Sequence, residues 1–304
     1  MFDNQDQLIS ELSSLRDFIR WTMSQLNQHQ VFFGHGTDNA WDESVQLVLA
    51  AVYLPWDTDP AVLDGKLTTT EKLCVLDFAY RRIIERQPLP YITGEAWFAG
   101  LPFNVDERVL IPRSPIAQLI EQHFEPWVGH QPVTRILDMC TGSGCIGIAC
   151  ALAFEEANVD LVDLSPDAIE VAKTNIAKLD VADRVQAIES DLFSNVSGRY
   201  DLIVSNPPYV DAVDLANMPA EYHKEPALAL GSGDDGLDLT RRMLREANDY
   251  LTEQGVLVVE VGNSDVHLAN AFPHVPFMWV DLPEGGNGVF VIDAATLAEF
   301  RNEF

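Results

Sequence analysis

The second half of the chain alternates short apolar runs with amphipathic segments, and this alternation constrains the fold more than any other feature. Between residues 133 and 261 the apolar runs are RILDM, VDLVD, RVQAIES, YDLIVS and GVLVVEV. Segments of helical periodicity, such as SPDAIEVAKTNIAKL and GLDLTRRMLREANDYL, separate them. The pattern predicts an α/β domain whose mostly parallel sheet is covered by helices on both faces. The last two runs, FMWVDL and GVFVID, flank PEGGN and predict a C-terminal antiparallel hairpin.

The first part of the chain has helical periodicity instead. Apolar residues recur at steps of three and four, as in an amphipathic helix: Leu8, Leu12, Leu15, Ile19 and Met23. We predict a small helical domain over residues 1–87. Glycine turns between short aromatic and β-branched runs predict a β-hairpin linker over 88–113. The α/β domain would follow over 114–304, and its first helix would have Ser114 as cap and Pro115 at the first position.

The composition is strongly acidic. The chain has 304 residues, with 19 Lys and Arg against 47 Asp and Glu and a formal net charge of −28. A surface of this charge repels the phosphates of nucleic acids and attracts a basic partner. The alternative explanation is that the negative charge serves solubility alone, and the composition by itself favours neither explanation.

Cysteine usage and the N-terminus indicate the compartment. Cys140, Cys145 and Cys150 recur every five residues, which is the spacing of neither a zinc site nor a redox pair, so we expect small buried side chains. The first residues lack the basic and apolar regions of a signal peptide, and no apolar run is long enough to span a bilayer. We therefore expect a cytoplasmic protein without disulfides and without membrane association.

A glycine-rich turn follows the first strand of the α/β part. In ILDMCTGSGCIGIACA the strand ends at Asp138, the residues from Thr141 to Gly144 turn the chain, and a helix begins near Cys145. Ligands bind at the carboxyl ends of parallel strands, where Gly142 and Gly144 would allow close backbone approach and the helix offers unpaired N–H groups. The alternative is a plain tight turn. No phosphate-binding lysine of the P-loop type accompanies this motif.

Acidic residues follow the next two strands. Asp163 lies about 20 residues after Gly144, where an acid typically accepts both hydroxyls of a ribose. The alternative for Asp163 is a helix cap, but Ser165 before Pro166 already has that role. Asp191 follows the third strand and could accept from an adenine amine or simply cap a turn. A nucleoside pocket without phosphate-binding residues predicts S-adenosylmethionine as the cofactor.

The fourth strand ends in SNPPYV, an unusual exit for a buried strand. A residue before proline adopts extended geometry and proline donates no N–H, so the loop presents carbonyl oxygens and the side-chain oxygen of Asn206 as acceptors. Two such acceptors could hold a planar NH₂ group and aim its nitrogen at a methyl donor, with Tyr209 stacked on the flat group. We predict that substrate is bound by Asn206, Pro207, Pro208 and Tyr209. The alternative is an ordinary strand exit.

Together, DMCTGSGCIGIACA, VDLSPDAI, SDLF and SNPPYV resemble the amino-methyltransferases that depend on S-adenosylmethionine. Asn-Pro-Pro-Tyr occurs in two branches, the adenine-modifying DNA methyltransferases and the protein-glutamine methyltransferases. PLPYITGEAWFAGLPFNVDERVLIPR, EPALAL and GDDGLD resemble the glutamine branch over most of the chain. That resemblance implies a Rossmann-like catalytic domain preceded by a helical substrate-recognition domain and a hairpin linker.

Within the glutamine branch, enzymes that modify peptide chain release factors have Pro-Arg-Pro-Glu-Thr-Glu after the hairpin, whereas this chain has IPRSPIAQLIEQ. GHGTDNAWDE, PRSPI and EGGNGVFVI resemble the bacterial enzymes that modify ribosomal protein L-three. This implies methyl transfer to a glutamine side-chain nitrogen, with S-adenosylhomocysteine as product and no metal. Release factors and nucleic-acid adenine remain the alternatives. A basic ribosomal protein, modified before or during ribosome assembly, suits the acidic charge, whereas no basic patch indicates direct DNA binding.

The resemblance also assigns roles to residues. Four residues would line the methionine end of the cofactor: Asp138, Thr141, Gly142 and Gly144. Asp163 would bind the ribose and Asp191 the adenine edge. Asn206 would contact the cofactor as well. The catalytic residues would be Asn206 and Pro207, whose oxygens hold the substrate amide, and Tyr209, which packs on it.

Four further residues have two interpretations each. Glu225 would brace the substrate loop or form an ordinary surface salt bridge. Pro112 and Arg113 would close the site or form a structural turn. His35, in a loop of the helical part, is a candidate functional residue, but we expect a histidine that caps that loop or faces solvent.

Overall fold

The computed structural model describes residues 2–129 and 132–304, so Met1 of the predicted first domain lies outside it. The chain forms two compact units. The first contains the residues up to Glu95 together with Pro219–Lys224, and the second contains Ala96–Met218 and Glu225–Phe304. The chain therefore leaves the second unit after the Asn-Pro-Pro-Tyr loop, contributes one short segment to the first unit and returns.

The first unit is helical. Its helices are α1 (Gln5–Glu11), α2 (Leu15–Gln28), α3 (Ala40–Ala51), α4 (Thr69–Ile83) and α5 (Leu89–Thr93). Capping boxes begin α2 at Ser14 and α4 at Thr68, and Asn39 caps α3, so each long helix has a local start signal. Apolar stripes from these helices form one buried core.

A two-stranded hairpin precedes the α/β core, with β1 at Glu95–Phe98 and β2 at Leu101–Asn104. Ala99 and Gly100 between them both have positive φ, which matches the right-handed twist of a tight hairpin. The predicted linker range begins with helix α5 before the strands. Helix α6 (Ile116–Glu121) then starts one residue later than predicted, because Pro115 is its cap residue while the Ser114 hydroxyl accepts the N–H of Ile116.

The second unit contains a seven-stranded sheet in the order β5-β4-β3-β6-β7-β9-β8. Its strands are β3 (Arg135–Met139), β4 (Asn158–Asp163), β5 (Val185–Glu189), β6 (Tyr200–Ser205), β7 (Leu251–Glu260), β8 (Met278–Trp279) and β9 (Val289–Asp293). The strands from β3 to β7 pair in parallel, and β9 pairs antiparallel with both β7 and β8. The predicted mostly parallel sheet with a C-terminal antiparallel hairpin is confirmed.

Helices cover both faces of this sheet. They are α7 (Cys145–Ala153), α8 (Pro166–Lys178), α10 (Asp238–Glu246), α11 (Asp265–Ala271) and α12 (Ala294–Glu299), whereas α9 (Ala212–Asn217) has no buried residue. Successive strand residues point to opposite faces, so Ile136 packs in one apolar cluster while Leu137 and Met139 pack in the other. Burial on both faces explains why the central strands are apolar without alternation. Within the described parts of the chain, no helix combines the length and apolarity that a bilayer crossing requires.

Candidate active site

A cavity opens at the carboxyl ends of β3, β4, β5 and β6. The chain runs outward from β3 through β4 to β5 and then returns to the other side of β3 as β6. This reversal is the switch point at which open α/β sheets bind ligands. Six of the predicted site residues line the cavity: Thr141, Gly142, Asp163, Asp191, Asn206 and Pro208.

Hydrogen bonds fasten the strand ends around the cavity to one another. The Thr141 N–H donates to the Val162 carbonyl over 2.9 Å and so joins the glycine turn to β4. The Ser205 hydroxyl donates to the Met139 carbonyl over 2.7 Å and so joins the end of β6 to the end of β3. The glycine turn and the Asn-Pro-Pro-Tyr loop are thereby held on a single framework.

The glycine turn has the backbone that its sequence requires. Gly142 and Gly144 have positive φ angles of 54° and 83°, a region that side chains with a Cβ atom rarely occupy. Gly147, for which no role was predicted, completes the Gly-x-Gly-x-x-Gly spacing. A Cβ atom at Gly147 would lie 2.1 Å from Leu161 Cδ2, so this glycine lets α7 pack closely on the sheet.

Asp138 lies beneath the turn and is fully buried; it does not line the cavity, and neither does Gly144. Its Oδ2 accepts from the Thr141 hydroxyl over 2.5 Å and from the Gly147 N–H over 2.8 Å, while its Oδ1 has no partner among the described residues. Burial raises the pKa of Asp138 to about 7, against the opposing effect of the two hydrogen bonds. Asp138 therefore acts on the cavity through Thr141.

Asp163 stands at the cavity wall with both carboxylate oxygens oriented by the backbone. Oδ2 accepts from the Gly142 N–H and Oδ1 from the Ser165 N–H, each over 2.9 Å. Every carboxylate oxygen has a second lone pair, so each can still accept one hydroxyl. Burial raises the pKa of Asp163. Ser165 is the cap of α8 and Pro166 is its first residue, as predicted.

Asp191 lies at the edge of the cavity and is about half exposed. Arg242 on α10 contacts its Oδ1 over 2.9 Å in an ion pair. No sequence motif predicts this partner. The segment TRRMLRE contains several arginines that could pair with an acid, but only the packing of α10 shows that Arg242 pairs with Asp191.

Two residues of the Asn-Pro-Pro-Tyr loop line the cavity. They are Asn206 and Pro208, whereas Pro207 and Tyr209 are adjacent in the loop and do not line it. Neither the Asn206 side chain nor the Pro207 carbonyl makes a hydrogen bond to any residue that the structure describes. Both acceptors therefore keep their capacity for an external donor.

Tyr209 is held at both ends. Its hydroxyl donates to Glu260 Oε1 over 2.9 Å, and its backbone carbonyl accepts from the Ser264 hydroxyl over 2.8 Å. The ring lies against the backbone of Gly262, where a Cβ atom would stand 2.5 Å from the Tyr209 Cε2. Gly262 also has a positive φ of 47°, so both its conformation and its contact require glycine.

Glu225 and Arg113 form a buried clamp beside the cavity. The two terminal nitrogens of Arg113 donate to the two Glu225 oxygens over 2.6 and 2.8 Å, and the Ile111 N–H donates to Glu225 over 3.0 Å. Since Glu225 is only 5% exposed, its interpretation as an ordinary surface salt bridge is wrong. Pro112 and Arg113 line the cavity, and so does Pro226 after the clamp.

His35 is buried, so the expectation that it faces solvent was wrong. It is 4% exposed in the helical unit, and its ring lies 4.7 Å from the ring of Tyr222, which belongs to the same unit. The glycines around His35 predicted an exposed loop, and the sequence did not show that Tyr222, distant in sequence, covers this histidine. Among residues 2–129 and 132–304, no group of three or more His, Cys, Asp or Glu side chains could hold a metal ion.

Comparison with known proteins identifies the domain type and the fold. The family model described as "Methyltransferase small domain" matches residues 117–221, a range that includes the glycine turn and the Asn-Pro-Pro-Tyr loop. In solved structures, the hMettl16 catalytic domain in complex with MAT2A 3′UTR hairpin 6 aligns with a TM-score of 0.51 and 17% identity. The alignment covers 73% of this chain and 80% of that one, and at this identity it shows a shared fold only.

Two relatives are far more similar. The ribosomal protein uL3 glutamine methyltransferase of Francisella tularensis is 52% identical over 302 residues, which cover 99% of this chain and 96% of that protein. The enzyme of the same name from Xanthomonas campestris is 49% identical over 288 residues, covering 94% and 93%. The motifs at the strand ends and these near full-length matches lead to one conclusion: the chain belongs to the family of the ribosomal protein uL3 glutamine methyltransferases.

Proposed function

We propose that this protein transfers a methyl group from S-adenosylmethionine to the side-chain amide nitrogen of a glutamine in ribosomal protein uL3. The observation that carries the proposal is the position of Asn206. Its side chain lines the same cavity as Asp163 and the glycine turn, and it has no hydrogen bond within the described residues. An acceptor of this kind beside a nucleoside pocket suits an amide substrate. The relatives with near full-length similarity bear the corresponding name.

The residues present fit the cofactor. The two carboxylates at the cavity wall, Asp163 and Asp191, would accept from the ribose hydroxyls and from the adenine amine. Thr141 and Gly142 would line the methionine end, supported from below by Asp138 and Gly144. The cofactor supplies an electrophilic methyl group on a sulfonium, which is already a good leaving group, so the transfer itself calls for no metal.

The substrate amide would be held by two acceptors. Asn206 Oδ1 and the Pro207 carbonyl would each accept one N–H, which orients the nitrogen toward the methyl group. Pro208 would contact the amide from the cavity wall, and the Tyr209 ring would pack on its plane. In the transfer the nitrogen gains the methyl group and loses one proton to solvent. The leaving group departs as the neutral thioether S-adenosylhomocysteine.

The charges favour a basic protein over a nucleic acid as substrate. The chain has two short basic clusters, YRRIIER and TRRMLRE, and arginines of both are in ion pairs with acids, among them Arg82 with Glu43 and Arg241 with Asp235. Arginines that are neutralised in this way are poor ligands for phosphates. The net charge of −28 would attract a basic ribosomal protein, free or in the course of ribosome assembly in the cytoplasm.

The test is transfer of labelled methyl from S-adenosylmethionine to three purified acceptors in parallel: uL3, a peptide chain release factor and an adenine-containing oligonucleotide. We expect label in uL3 alone, mapped by mass spectrometry to a glutamine side-chain nitrogen. Label in the release factor alone would keep the chemistry and reject the substrate. Label that appears only in the oligonucleotide would reject the protein-modifying function.

A further inference from the structure

An acidic side chain is buried at the end of strand β7 in the second unit. Glu260 ends β7 after the run VLVV and is only 4% exposed. Burying a carboxylate is costly unless its oxygens are hydrogen-bonded. Both oxygens are bonded: Oε1 accepts from the Tyr209 hydroxyl over 2.9 Å and Oε2 from the Ser114 hydroxyl over 2.5 Å. Glu260 thus connects Ser114 to the aromatic residue of the Asn-Pro-Pro-Tyr loop.

The Tyr209 backbone is already fixed by other groups. Its carbonyl accepts from Ser264 and also lies against Gly236, where a Cβ atom would stand 2.1 Å away. These contacts set the position of the Cα atom, and the ring lies against the backbone of Gly262. The bond to Glu260 acts at the far end of the side chain, where it orients the hydroxyl and holds the ring in this position.

Ser114 is fixed in turn by its neighbours. Its hydroxyl accepts from the Ile116 N–H over 3.2 Å at the start of α6 while it donates to Glu260. The loop before β9 packs on the same place: Gly286 approaches Pro115 so closely that a Cβ atom would stand 2.6 Å from the proline Cβ. The Gln118 side chain donates to the Gly285 carbonyl over 2.9 Å. The segment PRSPI (112–116) and the segment EGGNG (284–288) are far apart in sequence but are in contact next to Ser114.

We infer that Glu260 is a positioning residue which, held by Ser114, fixes the Tyr209 ring beside the substrate amide. The inference rests on the proposed function, since it assigns the ring to that amide. Glu260 touches neither substrate nor cofactor, and it acts through Tyr209. Because an amide nitrogen is a weak nucleophile, its alignment with the methyl group has a large effect on the rate.

The test compares Glu260→Leu with Glu260→Gln. Leucine removes both hydrogen bonds, and we expect kcat for uL3 methylation to fall by roughly 10- to 100-fold while cofactor affinity stays within about twofold. Glutamine can still accept from Tyr209 and donate to Ser114, so it should retain kcat within about threefold of wild type. Glu253→Leu, on an exposed part of the same strand, is the matched control and should leave kcat unchanged.

A double-mutant cycle separates positioning from a general structural role. Tyr209→Phe removes the hydroxyl that Glu260 holds, so adding Glu260→Leu to it should reduce kcat little further. Losses that multiply, or a Glu260→Leu enzyme with wild-type kcat, would overturn the inference. Ser114→Ala removes only the hydroxyl that donates to Glu260, so it should lower kcat less than Glu260→Leu does. This variant replaces Glu260→Leu in the test if the leucine variant does not fold. A wild-type enzyme that fails to methylate uL3 would instead reject the proposed function.

Discussion

Gly142 donates its backbone N–H to Asp163 over 2.9 Å, so the turn after β3 and the acid after β4 form one hydrogen-bonded unit. The sequence places these two residues in separate motifs. The contact implies that any group bound by Asp163 is also positioned against the glycine turn. Substitution of the acid should therefore affect both the proposed bonds of Asp163 to the cofactor and the orientation of the turn.

Asp163→Ala should weaken the affinity for S-adenosylmethionine by about 1.5–3 kcal/mol, the scale of charge-assisted hydrogen bonds, or roughly 10- to 150-fold in Kd. Isothermal titration calorimetry measures this directly. Asp167→Ala, in the exposed first turn of α8, is the matched control and should leave Kd within about twofold. Equal affinity in the wild-type and Asp163→Ala proteins would remove Asp163 from the ribose site.

Asn206→Ala should reduce methyl transfer to uL3 by roughly 100-fold or more, because one of the two acceptors for the amide N–H groups is lost. The Kd for S-adenosylmethionine should change far less, since Asp163 and Asp191 remain. Asn217→Ala on α9, an exposed asparagine, should behave as wild type in both assays. Transfer by Asn206→Ala at near the wild-type rate would show that the loop does not hold the amide.

Asp138 should make stability depend on pH in the neutral range. Its folded-state pKa of about 7 lies above its ordinary value of 3.8 because the carboxyl is buried. A raised pKa means that the folded state holds the proton more tightly, so this contribution to stability is full below pH 3.8 and is lost as the pH rises through 7.

Relative to Asp138→Asn, the wild-type protein should therefore lose on the order of 2–3 kcal/mol in the free energy of unfolding between pH 5 and 8. Urea unfolding of both proteins across this range is the measurement. The variant is the internal control, because both proteins share every other titrating group, including the nearby Asp163, whose charge also raises the pKa of Asp138. Parallel stability curves would show that Asp138 does not titrate in this range.

Arg113→Met should lower the free energy of unfolding by about 3–5 kcal/mol, because it leaves the Glu225 carboxylate buried without its bidentate partner. Arg113→Lys should restore little, since a lysine cannot donate in the same planar geometry. The control is Arg108→Ala, whose ion pair with Asp106 is exposed and should contribute no more than about 1 kcal/mol. Urea unfolding at constant pH would measure all three, and a loss at Arg113 no larger than at Arg108 would contradict the buried clamp.

The sequence by itself determined the order of strands and helices and the positions of the motifs at strand ends. These features depend on local chemistry: glycine permits the backbone of the turn at Gly142 and Gly144, and proline imposes the extended exit after Asn206. Apolar runs without alternation, such as YDLIVS, indicate strands that are buried on both faces. Since the carboxyl ends of parallel strands lie at one edge, the motifs alone predicted that six residues would gather there: Thr141, Gly142, Asp163, Asp191, Asn206 and Pro208.

Only the tertiary structure decided how those residues are supported. Glu260 is bonded to Ser114 and Tyr209, and Arg242 is paired with Asp191, across separations in sequence that no local pattern encodes. The burial of His35 against Tyr222 has the same origin. Burial and pairing of this kind follow from which surfaces pack together, and a single sequence shows which surfaces are apolar but not which of them meet.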